Sequence, residues 1–192
     1  MTSAGTRRTA RRRQLFDELV ALFLADGFAH LTLDDIAARL HCSKSTLYTL
    51  AENKDRLVHA VTVHFFRDAT ERVETALTGS AGAENRIRTY LESVGRQLEP
   101  ASPRFMEDMA ATPAAREVYE RNTRIAAERV RALIADGVAT GELRDVHAVF
   151  VADVVTAVMV RIQQREVAAT TGLADAQAYR ELATLLTRGL TA

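Results

Sequence analysis

The residues of this chain with the clearest chemical potential lie close together in the segment SKSTLYT, which starts at Ser43. A lysine can donate hydrogen bonds to the acceptors of guanine, and a threonine can offer a base edge either its hydroxyl or its methyl group. Tyrosine and further lysines suit the oxygens of a phosphate. These residue types predict contacts with nucleic acid. The candidates for base edges are Lys44, Ser45, Thr46 and Thr49, and the candidates for phosphate are Tyr48 and Lys54.

The remaining histidine, cysteine and acidic residues give little support to metal binding or catalysis. Adjacent His41 and Cys42 offer too few ligands for a zinc site, and His59 and His64 point to different faces of a helix. The Glu-x-x-His motif of di-iron bundles does not occur in the sequence, and no local motif specifies a nucleophile with its base and acid. We therefore expect a binding protein, with no enzymatic activity, metal or cofactor.

The elements that position the candidate residues are predicted to be short helices near the N-terminus. Apolar residues recur at helical spacing along almost the whole chain, which predicts an all-α fold. The first helix should end at Gly27, and Thr32 with Asp35 resembles a capping box for the second. Ser43 and Asn53 can cap the third and fourth. Two short helices joined by a tight turn bury little surface, so we expect a helix-turn-helix that presents its second helix outward.

Longer helices are predicted beyond this head. Proline and glycine positions separate five more of them, which gives about nine in total. One of these should run unbroken over residues 145–172. We predict three segments: a basic N-terminal arm over 1–13, a helix-turn-helix domain over 14–55 and a larger helical bundle over 56–192.

Charge is unevenly distributed along a chain that is neutral overall, with 25 basic and 25 acidic residues. The first thirteen positions contain no acidic residue but five arginines, namely Arg7, Arg8, Arg11, Arg12 and Arg13. The positive field is therefore concentrated in one arm. This arm is either a solvated tail or an element that binds DNA, with Arg12 and Arg13 as its candidate contacts.

The cysteine count and the hydropathy of the chain indicate its cellular compartment. The single cysteine cannot form an internal disulfide, which is typical of a reducing cytoplasm. Asp17 and Glu18 interrupt the first apolar stretch, so no export signal is expected. The longest apolar run starts at Ala148, contains Asp153 and is shorter than the ~20 residues of a transmembrane helix. We predict no membrane span.

The segment TLDDIAARLHCSKSTLYTLAENKDRLV resembles the DNA-binding head of the TetR family of bacterial transcription regulators, and the resemblance extends over about residues 10–60. The positions that match the family pattern are Thr32, Ile36, Ala37, Ser43, Thr46, Leu47, Tyr48, Asn53, Lys54 and Asp55. The resemblance implies phosphate contact by Thr32, Tyr48 and Lys54. It implies base or groove contact by Lys44, Ser45, Thr46 and Thr49, on a helix that Ser43 begins.

Three positions depart from the family pattern. His41 stands in the turn where glycine is usual, and histidine tolerates a positive φ at some cost. Leu50 and Ala51 follow Tyr48 where an aromatic residue is common. Asp34 stands where a basic residue is frequent, and an acid near phosphates weakens binding, so we expect the arginine arm to compensate.

The resemblance further implies that residues 56–192 bind a small-molecule effector and that the last two helices pair with a second subunit. Candidate effector contacts are Tyr90, Phe105, Met106, Met109, Tyr119 and Arg161. Core packing explains the same aromatic and methionine residues. The next-to-last long helix is apolar on nearly all sides, so it needs cover from a partner subunit or from complete burial within a monomer.

Together these features predict a cytoplasmic, nucleoid-associated regulator that binds double-stranded DNA. We expect a dimeric repressor that leaves a palindromic operator when an effector binds. An activator, or a regulator without a ligand, shares these sequence features. An alternative from a different functional class is an all-helical enzyme or small-molecule-binding protein whose head has lost specific DNA affinity.

Overall fold

A computed structural model describes the backbone of residues 3–190 and the side chains of residues 9–190. Within these residues the chain forms ten helices and no strand, so the predicted all-α class is confirmed. The helices are α1 (Ser3–Asp26), α2 (Leu33–Arg39), α3 (Lys44–Tyr48), α4 (Lys54–Leu77), α5 (Ala83–Leu98), α6 (Pro103–Ala111), α7 (Pro113–Ala139), α8 (Ala148–Gln163), α9 (Glu166–Thr171) and α10 (Asp175–Leu190). No described helix is both long and apolar enough to cross a membrane.

The predicted single helix over residues 145–172 is wrong, and this accounts for a tenth helix. The helical path stops at Gln163 because Arg165 adopts a left-handed conformation with φ 66°, after which α9 begins at Glu166. A positive φ is uncommon for a residue other than glycine. The Arg165 guanidinium forms an ion pair with Asp175, the first residue of α10, and this contact holds the break in place.

α1 extends further toward the N-terminus than the apolar pattern indicated. It begins at Ser3, so residues 3–13 of the predicted arm are helical. Arginine and alanine have high helix propensity, and neither proline nor glycine interrupts the chain between Thr6 and Asp26. The side chains of Arg7 and Arg8 lie outside the described residues.

The chain divides into two compact units. The first runs to Arg67 and takes in Ala101–Val118, and the second contains Asp68–Pro100 and the chain from Tyr119 onward. The sequence predicted a division inside or beside the fourth helix, near residue 55, and α4, which begins at Lys54, contributes residues to both units. The structure also assigns α6 to the first unit, because the amide of Ser102 bonds the carbonyl of Leu24 at 2.8 Å and aromatic rings pack around Phe105.

Aromatic packing forms much of the core of the first unit. Phe28 lies 5.1 Å from Phe23 and 6.0 Å from Phe105 between ring centroids, and Phe65 meets Phe105 edge-on at 6.0 Å. Leu19 of α1 is fully buried as well. Edge-to-face aromatic contacts at these distances are favourable. This core fixes α1, α4 and α6 and so provides the base from which α2 and α3 project.

Helix α5 packs against α10 in the second unit. Gly95 permits the close approach, because a Cβ added there would lie 3.0 Å from the carbonyl oxygen of Ala176. Arg129 donates two parallel hydrogen bonds to the carboxylate of Glu74, at 3.0 and 2.9 Å, which joins α7 to the end of α4. Such bidentate pairs are the strongest kind of surface ion pair.

Candidate nucleic-acid interface

Local hydrogen bonds define both short helices of the head. The Thr32 hydroxyl accepts a bond from the Asp35 amide at 3.1 Å, and the Asp35 carboxylate accepts one from the Thr32 amide at 2.8 Å. The predicted capping box is thereby confirmed, and the bonds from Thr32 lower the pKa of Asp35. Ser43 caps α3 by accepting a bond from the Thr46 amide at 3.2 Å.

The turn between α2 and α3 contains a residue in the left-handed conformation. His41 has φ 50°, as its position in place of glycine predicted, and the turn survives the substitution. The amide of His41 donates to the carbonyl of Ala38 at 3.2 Å, and the amide of Cys42 donates to the carbonyl of Ala37 at 3.0 Å. These bonds satisfy carbonyls that α2 leaves open at its end.

Apolar contacts decide which side of α3 faces outward. Leu47 is buried together with Ile36 and Ala37 of α2, while Leu40 and Leu50 are half-buried. Five polar positions of the segment are exposed, namely Ser43, Lys44, Ser45, Tyr48 and Thr49, and Thr46 is half-buried. The structure therefore exposes three of the four predicted base-contacting residues, Lys44, Ser45 and Thr49, and leaves Thr46 half-buried.

Several of these polar groups already have partners within the head. The Ser43 hydroxyl lies 2.7 Å from that of Ser45 and 2.9 Å from that of Thr46. The Thr49 hydroxyl donates to the carbonyl of Thr46 at 2.7 Å. Hydroxyl groups retain acceptor capacity when they donate, but a donor used in this way cannot also bond a phosphate.

The two lysines of the predicted interface are also partnered. Lys44 donates to the carboxylate of Asp34 at 3.0 Å, and this bond raises the pKa of Lys44. Lys54 donates to the carbonyl oxygen of Ala29 at 2.6 Å, so it holds the loop between α1 and α2. An ammonium group has three donors, which leaves Lys54 able to contact a phosphate as well.

Two of the three described arginines of the predicted arm, Arg11 and Arg12, lie on α1 near the end of α3. Arg11 and Arg12 line a groove of about 630 Å³ whose lining also includes Thr46 and Thr49. The Arg12 guanidinium lies 5.8 Å from the centroid of the Phe16 ring. Such a cation–π contact favours this position of the guanidinium. Arg13 is exposed and does not line the groove.

A clamp that the sequence did not indicate fixes the loop before α2. The Asp108 carboxylate of α6 accepts bonds from the amides of Phe28 and Ala29, at 2.6 and 2.8 Å. Gly27, with φ 75°, makes room for it, because a Cβ there would lie 2.6 Å from the Asp108 oxygen. About eighty residues separate the partners along the chain, so no local pattern could have identified Asp108.

The six candidate effector contacts divide between the two units. Phe105, Met106 and Met109 are buried in the core of the first unit, where Met109 lies beside the Thr62 hydroxyl. Tyr90 and Tyr119 are buried in the second unit, and burial raises the pKa of both phenols.

Arg161, the sixth candidate, is half-exposed and forms an ion pair with Glu166 at 3.0 Å. The sequence missed a buried acid in this part of the chain. Asp175 is paired with Arg165 on one oxygen, and its other oxygen, Oδ2, is buried with no hydrogen-bond partner among the described residues. Burial raises the pKa of Asp175.

Comparisons with known proteins agree with this geometry. Residues 15–61 match the profile of the bacterial regulatory proteins of the tetR family. A comparison with curated proteins finds no match. Solved structures of transcriptional regulators share the fold over nearly their whole length. A TetR/AcrR-family regulator from Thermobifida fusca YX-ER1 is 25% identical with a TM-score of 0.64, over 94% of this chain and 98% of the other.

Two further solved structures contain a small molecule. A Saccharomonospora viridis protein, studied as a transcriptional regulator and in complex with choline, is 18% identical with a TM-score of 0.73, over 96% of this chain and 99% of the other. The regulator FadR from Bacillus subtilis, in complex with stearoyl-CoA, is 13% identical with a TM-score of 0.67, over 92% of this chain and 97% of the other. At this level of identity the likeness concerns the fold.

Proposed function

We propose that the chain, whose residues 15–61 match the tetR family, is a DNA-binding transcriptional regulator of that family and a homodimeric cytoplasmic repressor released from a palindromic operator by a small molecule. One observation carries the proposal. The residues that match the family are those that build α3 and turn its polar side outward, with Leu47 buried and Lys44, Ser45 and Tyr48 exposed. A helix presented in this way fits the major groove.

Support for the dimer comes from an exposed apolar face on α8 and α10. Val149, Phe150, Val154 and Leu185 are exposed by 66%, 65%, 45% and 70%. Several large apolar side chains exposed on two helices favour burial against another molecule. A two-fold pairing of α8 and α10 would cover this face and place two reading heads on successive turns of one side of the duplex.

The dimer is tested by measuring the mass in solution. The chain has a mass of 21.1 kDa, and we expect twice that value for the wild type. Leu185→Arg should give the monomer mass, because the arginine places a charge in the apolar contact. Ile125→Arg is a matched control, since Ile125 is 49% exposed on α7 of the same unit and outside the proposed interface. A monomeric wild type would contradict the proposal.

A small-molecule effector is supported by chemistry in the second unit. Asp175 Oδ2 is a buried acceptor without a hydrogen-bond partner among the described residues, and such a group is costly unless a donor meets it. Tyr90 and Tyr119 of the same unit are buried phenols. We propose that a ligand donor meets Asp175 and that Tyr90 and Tyr119 contribute to its site. Arg161, Phe105, Met106 and Met109 stay predicted contacts.

The central experiment selects bound duplexes from a random DNA pool at near-physiological salt. We expect a sequence with two-fold symmetry, bound far more tightly than random DNA. Choline and stearoyl-CoA, which occupy two of the structural neighbours, are the first probes for release. Equal and weak binding of every duplex would favour the alternative, an enzyme or ligand-binding protein with an inactive head. The proposal also holds that the chain has no enzymatic activity, in keeping with relatives that are regulators.

A further inference from the structure

An ion pair crosses the exposed edge between α2 and α3. The Asp34 carboxylate and the Lys44 ammonium are 3.0 Å apart, and their side chains are exposed by 73% and 44%. Lys44 is a predicted base-contacting residue, whereas Asp34 is the acid that departs from the family pattern. Lys44 is thus not an isolated cation in this head but one half of a donor–acceptor pair.

Two physical roles for Asp34 make different predictions. If its carboxylate only repels phosphates, it weakens binding to every sequence by the same factor, because phosphate contacts carry no sequence information. If the carboxylate instead meets a base edge, it weakens binding to some base pairs and favours another. The orientation of the pair decides between these roles, since Asp34 is tied to a residue on the outward face of α3.

The major-groove edge of a G·C pair is complementary to such a pair of side chains. Guanine presents two adjacent acceptors, N7 and O6, and cytosine presents the N4 amino donor beside them. O6 and N4 are joined by a hydrogen bond, so they lie about 2.7–3.2 Å apart. The Lys44 nitrogen and the Asp34 oxygen have a similar separation, 3.0 Å. Each side-chain group can therefore face its counterpart without breaking the ion pair.

An A·T pair fits less well. Its adenine N6 donor and thymine O4 acceptor are also neighbours, but adenine N7 is a further acceptor beside N6 and would face the carboxylate. The Lys44 ammonium would meet a single acceptor, thymine O4, beside the thymine methyl group, whereas guanine offers it the two acceptors N7 and O6. The arrangement of charges therefore favours G·C.

We propose that Asp34 and Lys44 together read one G·C pair in each half of the operator, with Lys44 donating to guanine and Asp34 accepting from the cytosine amino group. This inference rests on the proposed function, because it requires an operator. It assigns Asp34 a part in specificity, in contrast to the weakening effect that its charge alone predicts. An acid in this position also lowers the attraction of the reading edge for DNA of other sequence.

The experiment compares the sequences that wild type and variants select from the same random pool. The wild type should select G·C at one position per half-site and prefer it about tenfold over A·T, as expected for a good side-chain pair. Asp34→Ala should reduce this preference to about threefold or less at that position alone. Asp34→Asn should shift it toward A·T, because asparagine pairs best with adenine.

The control is Asp26→Ala, which removes the same charge from another exposed ion pair of the first unit, that with Arg39. Its selected sequence should equal that of the wild type. Preferences are measured as the ratio of affinities for two operators that differ in one base pair. A loss of folded protein cancels in this ratio, so the test holds even if a variant is less stable.

Two results would overturn the inference, and they can be told apart. If Asp34→Ala binds all duplexes more tightly by one common factor and selects the wild-type sequence, Asp34 acts only on phosphates and the proposed function stands. If the wild type itself selects no sequence, the proposed function fails and the inference fails with it.

Discussion

The Asp108 clamp provides the sharpest test of how the head is held. One carboxylate oxygen accepts bonds from the amides of Phe28 and Ala29, and the Phe28 side chain is fully buried. Asp108→Ala removes the acceptor and leaves both amides without it. Asp108→Asn keeps an oxygen that can accept these bonds but removes the charge. The pair of variants therefore separates the hydrogen bonds from their charge-assisted part.

The expected magnitude follows from the number and exposure of the bonds. A hydrogen bond to a charged group contributes about 1.5–3 kcal/mol, but water can replace the acceptor for the exposed Ala29 amide. We therefore expect Asp108→Ala to lower the free energy of unfolding by about 2 kcal/mol and Asp108→Asn by about 1 kcal/mol. Glu107→Ala, one position away on the exposed side of α6, should change it by less than about 0.5 kcal/mol.

Urea unfolding followed by far-UV circular dichroism measures these differences. All proteins are compared at one concentration, because subunit association would add to the apparent stability. The m-value should stay constant, which shows that only stability has changed. An Asp108→Ala protein as stable as Glu107→Ala would refute the view that this carboxylate holds the loop before α2.

Three further predictions concern the core of the head, a buried acid and the arginines of α1. Leu47→Ala should lower the free energy of unfolding by about 2–5 kcal/mol in urea titrations, because Leu47 is buried at the contact of α2 with α3. Burial raises the pKa of Asp175 in the folded state. Lowering the pH toward the unfolded pKa of 3.8 should therefore increase the free energy of unfolding of the wild type relative to that of Asp175→Asn. A difference between the two proteins in urea unfolding that stays the same at every pH would contradict this sign. Replacing Arg11, Arg12 and Arg13 by glutamine should reduce the slope of log K against log salt by about 0.9 per lost phosphate contact, and an unchanged slope in binding titrations would exclude the arm from the interface.

Local patterns predicted most of the head, because its helices are defined by short-range hydrogen bonds. The capping box at Thr32 and the cap at Ser43 involve residues three apart, and both are formed. The break after α8 was missed because an arginine occupies the left-handed conformation that sequence patterns assign to glycine. The pairing of Arg165 with Asp175 depends on how α8, α9 and α10 pack, which no helical period reveals.

The partners of the candidate residues indicate where attraction for DNA originates. The charge of Lys44 is balanced by Asp34, and Lys54 is anchored on the carbonyl of Ala29. The Lys44–Asp34 pair is therefore close to neutral, and a neutral pair discriminates between bases better than it attracts phosphates, whereas Lys54 keeps its positive charge on the carbonyl. We therefore expect the attraction that depends on salt to come from Lys54 and from other cations of the first unit, and Arg11 and Arg12 line a groove together with Thr46 and Thr49. We expect α1 to supply affinity for any duplex, and α2 and α3 to supply the preference for one sequence.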